Sequence, residues 1–167
     1  SAGGAVTTGT QNTLIGGLAG DALTAAFENV AIGYEAQTTD TLGRRTVAIG
    51  NGALQTQNFT TATNTYNVAV GYDAGTAALE AQNFATSTSS YNTAIGSDSG
   101  KAITTGIRNT IIGSSAGDAL TDADDNVAMG QQALSSDTLG SAAVAIGHNT
   151  LFTQNFTTAT TNYNVAI

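Results

Sequence analysis

The side chains able to do chemistry are few and scattered. His148 is the only histidine, and cysteine is absent. No Ser, His and Asp recur at a common spacing, so no nucleophile has a base and an orienting acid at hand. The glycines follow a period and are not gathered into a phosphate-cradling loop. Asp122, Asp124 and Asp125 cluster in "TDADDN", where three carboxylates suggest oxygen ligation of Ca²⁺. The matching stretch of the first repeat, "TAAFEN", keeps only Glu28, which argues against a structural ion. No enzymatic activity, cofactor or metal is therefore expected. Asp21 and Asp118, in two copies of "AGDAL", are expected to accept backbone N–H bonds at a corner.

Aromatic side chains are the other reactive surface. Three related stretches, "QNFTTATNTYN" (57–67), "QNFATSTSSYN" (82–92) and "QNFTTATTNYN" (154–164), share Gln-Asn-Phe and a later Tyr-Asn. Phe59, Phe84 and Phe156 are thereby paired in sequence with Tyr66, Tyr91 and Tyr163. One reading is a hairpin-like protrusion pinned to the shaft or to a neighbouring chain by ring contacts. The other is a set of rings beside Asn, Gln and Thr that contacts a glycan. Asn58 and Asn155 lie in Asn-Phe-Thr sequons, which matter only in a host that glycosylates them.

Composition narrows the partners. The 167 residues carry four basic and twelve acidic side chains, a formal net charge of −8. That balance repels phosphate backbones, so nucleic acid is not an expected partner. No apolar run approaches the roughly twenty residues of a membrane-spanning helix, and no membrane insertion is expected. Without cysteine there are no disulfides and no thiolate metal sites.

What must position these residues is a repeat. "NTLIG", "NVAIG", "TVAIG", "NVAVG", "NTAIG", "NTIIG", "NVAMG" and "AVAIG" succeed one another, and the chain stops on "NVAI". The closing glycines, Gly16, Gly33, Gly50, Gly71, Gly96, Gly113, Gly130 and Gly147, are 17, 17, 21, 25, 17, 17 and 17 residues apart. A short period with insertions is the signature of a solenoid. A longer period of 97 lies over it: residues 4–70 match 101–167 with roughly six positions in ten identical. The fold expected is all-β, a parallel β-solenoid of about 17-residue coils with inserted loops. Residues 1–167 form a single array of about nine coils, read as a window on a longer chain. No stretch sustains a helical period; "AGTAALEAQNF" (74–84) is the nearest, with at most one helical turn.

Alternation assigns faces. Val30 and Ile32, Val47 and Ile49, Val68 and Val70, Ile95, Ile112, Val127 and Met129, and Val144 and Ile146 are expected to fill the core. The intervening alanines would then form an outer stripe along which other chains approach. Asn12, Asn29, Asn67, Asn92, Asn109, Asn126 and Asn164 precede the strands. Stacked coils put them in register as an Asn ladder, while a turn residue tolerating the left-handed conformation is the alternative. The glycine closing each strand suits a corner of positive φ or crowded backbone. Coils this thin expose much surface, so self-association is expected.

The pattern "N-[TV]-A-[IV]-G-x-x-A-G" with "TTG" between copies resembles the head repeats of trimeric autotransporter adhesins and the arrays of phage tail fibres. The string "TTGIRNTIIGSSAGDAL" (104–120) carries the second likeness. The resemblance implies a homotrimeric extracellular or virion-surface fibre that meets a host glycan or protein. Turns of 17 residues favour the tail-fibre shaft over the adhesin head, whose turns are shorter. A bacterial adhesin or self-assembling extracellular filament is the alternative. An ice-binding solenoid ranks last, because Thr7, Thr8, Thr104 and Thr105 repeat only once per 97 residues.

Overall fold

The computed structural model describes residues 1–75 and 89–167, and the structural statements below concern those residues. In chain order the strands are β1 (Thr13–Ile15), β2 (Val30–Ile32), β3 (Gly43–Arg44), β4 (Val47–Ile49), β5 (Thr63–Asn64), β6 (Val68–Val70) and β7 (Thr93–Ile95). They continue as β8 (Thr110–Ile112), β9 (Val127–Met129), β10 (Gly140–Ser141), β11 (Val144–Ile146), β12 (Thr160–Thr161) and β13 (Val165–Ala166). No helix interrupts them among the described residues. The helix-like stretch at 74–84 lies outside the described residues apart from its first two positions.

The motif strands form one nine-stranded parallel sheet, β1-β2-β4-β6-β7-β8-β9-β11-β13. Each copy lies over the last in strict register: Ile15 on Ile32, Ile32 on Ile49, Ile49 on Val70. A parallel β-solenoid is thus the architecture. The 97-residue period is visible in the strands themselves, since β1 to β6 recur as β8 to β13. The insertions at 57–67 and 154–164 do not protrude as hairpins, and most of the third, 82–92, lies outside the described residues. β5, inside 57–67, pairs in parallel with β3 of the coil before, and β12 pairs likewise with β10. An extra length of chain is accommodated by widening the coil, because a parallel neighbour is already there to accept its N–H groups.

The faces are the reverse of those expected. Ala31, Ala48, Ala69, Ala128, Ala145 and Ile111 are completely buried, and Ala94 nearly so. Val30, Ile32, Val47, Ile49, Val68, Val70, Ile112, Val127, Val144 and Ile146 are only half-buried, and Ile95 and Met129 are exposed. The cause is geometric. A three-residue strand turns its middle residue to one face and its flanks to the other. In a 17-residue coil the one inward residue of each strand is its centre, alanine in most coils and Leu14 or Ile111 in two. The columns of like residues do form, but the Val and Ile columns run along the outside.

The interior is closed by small residues from both sides of the coil. Ala19, Ala36, Ala53, Ala74, Ala116 and Ala133, three residues past each glycine, are also fully buried. One residue further on, Gly20 and Gly117 face the two bulky strand centres. A Cβ on Gly20 would lie 2.7 Å from Leu14 Cδ2, and one on Gly117 3.0 Å from Ile111 Cδ1. Three coils with alanine at the strand centre carry Gln37, Leu54 or Leu134 at that place, all buried, whereas the coils centred on Ala69 and Ala94 keep Gly75 and Gly100 there. Leu23, Ile103 and Leu120 complete the packing.

Candidate functional site

Three features are candidates: the largely buried asparagine column, the outer face of the sheet, and the corner ahead of it. The asparagines act mainly on backbone. Asn29 N donates to Asn12 Oδ1 at 3.0 Å, and Asn29 Oδ1 accepts from Thr46 N at 3.0 Å. The same step recurs from Asn67 to Asn92 to Asn109 to Asn126 to Ala143. Each Nδ2 meanwhile donates across the corner, as Asn29 to Gly43 O at 3.0 Å and Asn126 to Gly140 O at 2.9 Å. Among the described residues, direct bonds from one asparagine amide to another link Asn92, Asn109 and Asn126, at 3.2 and 3.1 Å. Asn164 is exposed and bonds Gln154 Oε1 at 2.7 Å. The left-handed residue is the one before: Glu28, Arg45, Tyr66, Tyr91, Arg108, Asp125 and Tyr163 have φ between 52 and 60°. The asparagine side chain is needed because that corner frees one N–H and one C=O per coil.

A second buried polar group was not foreseen. Asp40 is fully buried and accepts from Gly43 N and Phe59 N, each at 3.0 Å, and from Gln37 Nε2 and Gln57 Nε2. Burial pushes its carboxyl above the ordinary Asp range, against the downward pull of those four donors. Asp137 repeats the arrangement with Gly140 N, Phe156 N and Gln154 Nε2. The signal was present in the two copies of "DTLG" and of "TQNF". These carboxylates anchor the inserted segment to the coil beneath.

The aromatic pairs fall otherwise than expected. Phe59 is buried, 3% exposed, and so presents nothing to a ligand. Phe84 lies outside the described residues. Phe156 is half-buried, and Tyr163 is largely exposed. Tyr66 stacks on Tyr91 of the next coil, with ring centroids 5.0 Å apart and planes within 5°. The ring contacts thus run along the solenoid axis between coils, because strand register sets the spacing of like positions.

Those two tyrosines belong to an ordered surface column. Arg45 Nε pairs with Glu28 Oε2 at 2.6 Å, and Arg45 Nη1 donates to Tyr66 OH at 2.9 Å. On the far side of the stack, Arg108 grips Asp125 with two bonds, Nε at 2.6 Å and Nη2 at 2.8 Å. Beside the column, the guanidinium of Arg44 lies 4.2 Å above the Phe27 ring.

The acidic cluster is dispersed. Asp122 accepts from Thr105 Oγ1, Asp124 from Ile107 N, and Asp125 serves Arg108. The three carboxylates do not converge. Of the AGDAL pair, Asp21 accepts from Gly4 N at 3.0 Å, while Asp118 Oδ1 is buried without a partner. Thr7, Thr24 and Thr41 form one column, more regular than the repeat of "TTG" suggested. Their hydroxyls donate to the backbone of the next coil, as Thr24 to Thr41 O at 3.1 Å.

The outer sheet face carries two columns of side chains. One reads Thr13, Val30, Val47, Val68, Thr93, Thr110, Val127, Val144, Val165. The other reads Ile15, Ile32, Ile49, Val70, Ile95, Ile112, Met129, Ile146. Eight spacings of about 4.8 Å make an apolar strip about 38 Å long.

The fold and these surfaces define a β-solenoid repeat protein. No protein-family model, curated protein or solved structure matches the chain.

Proposed function

We propose that this chain is a structural and adhesive segment of an extracellular fibre, the shaft or receptor-facing part of a viral tail fibre, working as a homotrimer. The single observation behind this is the apolar strip. Soluble monomers rarely leave a contiguous β-branched strip of this length in water. Both columns persist through the two matching stretches, 4–70 and 101–167, as a contact between parallel chains at equal height requires. Three strips meeting on a common axis would cover one another and close a rod. The buried alanines take no part, so the association surface is the opposite face from the alanine stripe. A bacterial adhesin would use the same coil, and the flanking domains of the parent gene separate the two. Ice binding is disfavoured by the single threonine column, whose hydroxyls are spent on backbone.

Light scattering across a range of concentrations tests the reading. A mass of three chains, independent of dilution, is expected. One chain mass at every concentration would refute it.

A further inference from the structure

We propose that the corner formed by Phe27, Arg44, Arg45, Tyr66 and Tyr91 is a binding site for a carbohydrate bearing a carboxylate. Three of the four basic residues are spent: Arg45 on Glu28, Lys101 on Asp98, Arg108 on Asp125. Arg44 has no ion pair among the described residues. Its Nε is buried without an acceptor, and its Nη nitrogens, which meet no protein acceptor, form the open edge. The Phe27 ring under the guanidinium holds it flat and fixes the direction of that edge. Arg45 shares the same ring at 5.9 Å and bridges to the Tyr66–Tyr91 stack, lying 5.7 Å from the Tyr66 centroid. Tyr66 and Tyr91 are 39% and 53% exposed. An unpaired guanidinium on Phe27, linked through Arg45 to the exposed phenol rings, offers a charge for a carboxylate and an amphipathic edge for a sugar ring.

The molecule contains its own control. Ninety-seven residues on, the scaffold positions are kept, yet Phe27, Arg44 and Arg45 become Asp124, Ser141 and Ala142. The second copy folds the same way, with β10 where β3 was. The fold therefore does not need the aromatic–arginine cluster. A contact between parallel copies of the chain would recur with the repeat, as the Val and Ile columns do. This cluster does not recur, which favours a separate ligand over an acid of a second copy.

The inference rests on the adhesive reading above and names the ligand class. The test is equilibrium binding of the whole chain to a panel of hexuronate- and sialate-bearing oligosaccharides and their neutral parents. Melting temperature and assembly mass are measured on the same samples. At least one acidic member is expected to bind ten-fold or more tighter than its neutral parent. Arg44→Gln should erase that difference and leave melting temperature and mass unchanged. Tyr91→Ala should weaken the acidic sugar as well. No binding by any acidic member, or equal binding of acidic and neutral sugars, overturns the proposal. A fall in assembly mass on Arg44→Gln also overturns it, because Arg44 would then serve another copy. A wild-type chain that binds the acidic sugar as a monomer would defeat the trimeric assembly and leave this site standing.

Discussion

Replacing Gly33 with alanine should cost far more than the same change at Gly147, although both glycines close a motif strand. Gly33 has φ +136° and Gly147 φ +123°, a region that L-residues rarely enter. That backbone strain costs about 1–3 kcal/mol at either place. The difference lies in the next coil. A Cβ on Gly33 would sit 2.3 Å from Gly50 O and 2.6 Å from Gly50 C, whereas one on Gly147 first meets Thr150 Cγ2 at 3.3 Å. Backbone carbonyl held in a parallel ladder cannot swing aside, so the coils must separate locally, a further cost of about 1–3 kcal/mol. Gly33→Ala should thus lose about 4 kcal/mol and Gly147→Ala about 2 kcal/mol. For a chain of this size that is a fall in Tm of about 8–16 °C against about 4–8 °C. Scanning calorimetry or thermal circular dichroism reads both. Equal losses would show that stacking contact between successive glycines does not constrain the motif.

Ala128→Leu should destabilise by about 1–3 kcal/mol through overpacking against Leu134, while Val127→Thr should leave chain stability nearly unchanged; urea midpoints compare them. Asn109→Ala strips the partners of Asn126 N and Ala123 O, both inside the stack, at about 1–3 kcal/mol each; Asn164→Ala, at an exposed position, should cost under about 0.5 kcal/mol. Asp40 has a raised folded pKa, so its contribution is greatest below the ordinary Asp range and declines as pH rises through the folded value. The stability advantage of wild type over Asp40→Asn should therefore shrink from acid towards neutral pH, and a pH-independent gap would contradict it. Asp98 and Asp125 are held below the ordinary range by Lys101 and Arg108. Their small contributions are present above that range and vanish in acid, which NMR titration of the two carboxyls can follow.

The period carried most of the fold. Equal spacing of like strands leaves stacking as the way to satisfy strand edges, so the parallel order and register follow from the motif itself. Burial was harder to read. Hydrophobicity alone puts Val47 and Ile49 inside and Ala48 outside, yet the centre of each three-residue strand is what points inward, and here that residue is Ala48. A partial clue was the pairing of Leu14 with Gly20 and of Ile111 with Gly117, where each bulky strand centre meets a residue without a side chain. The surface corner was half legible. Tyr66 and Tyr91 stood out as aromatics, but their stacking and the arginines around them depend on the 21- and 25-residue spacings being absorbed in register. Arg44 stood out only once its three fellow cations were found paired. Asp40 was hidden because "DTLG" looks like an ordinary turn.

The most direct test of the account is Ile49→Lys, followed by analytical ultracentrifugation and far-ultraviolet circular dichroism on one sample. An outer apolar column covered by other chains predicts that the mass falls to one chain while the β-spectrum persists. Loss of the β-spectrum would mean that Ile49 is interior after all, and an unchanged mass would mean that the strip joins nothing.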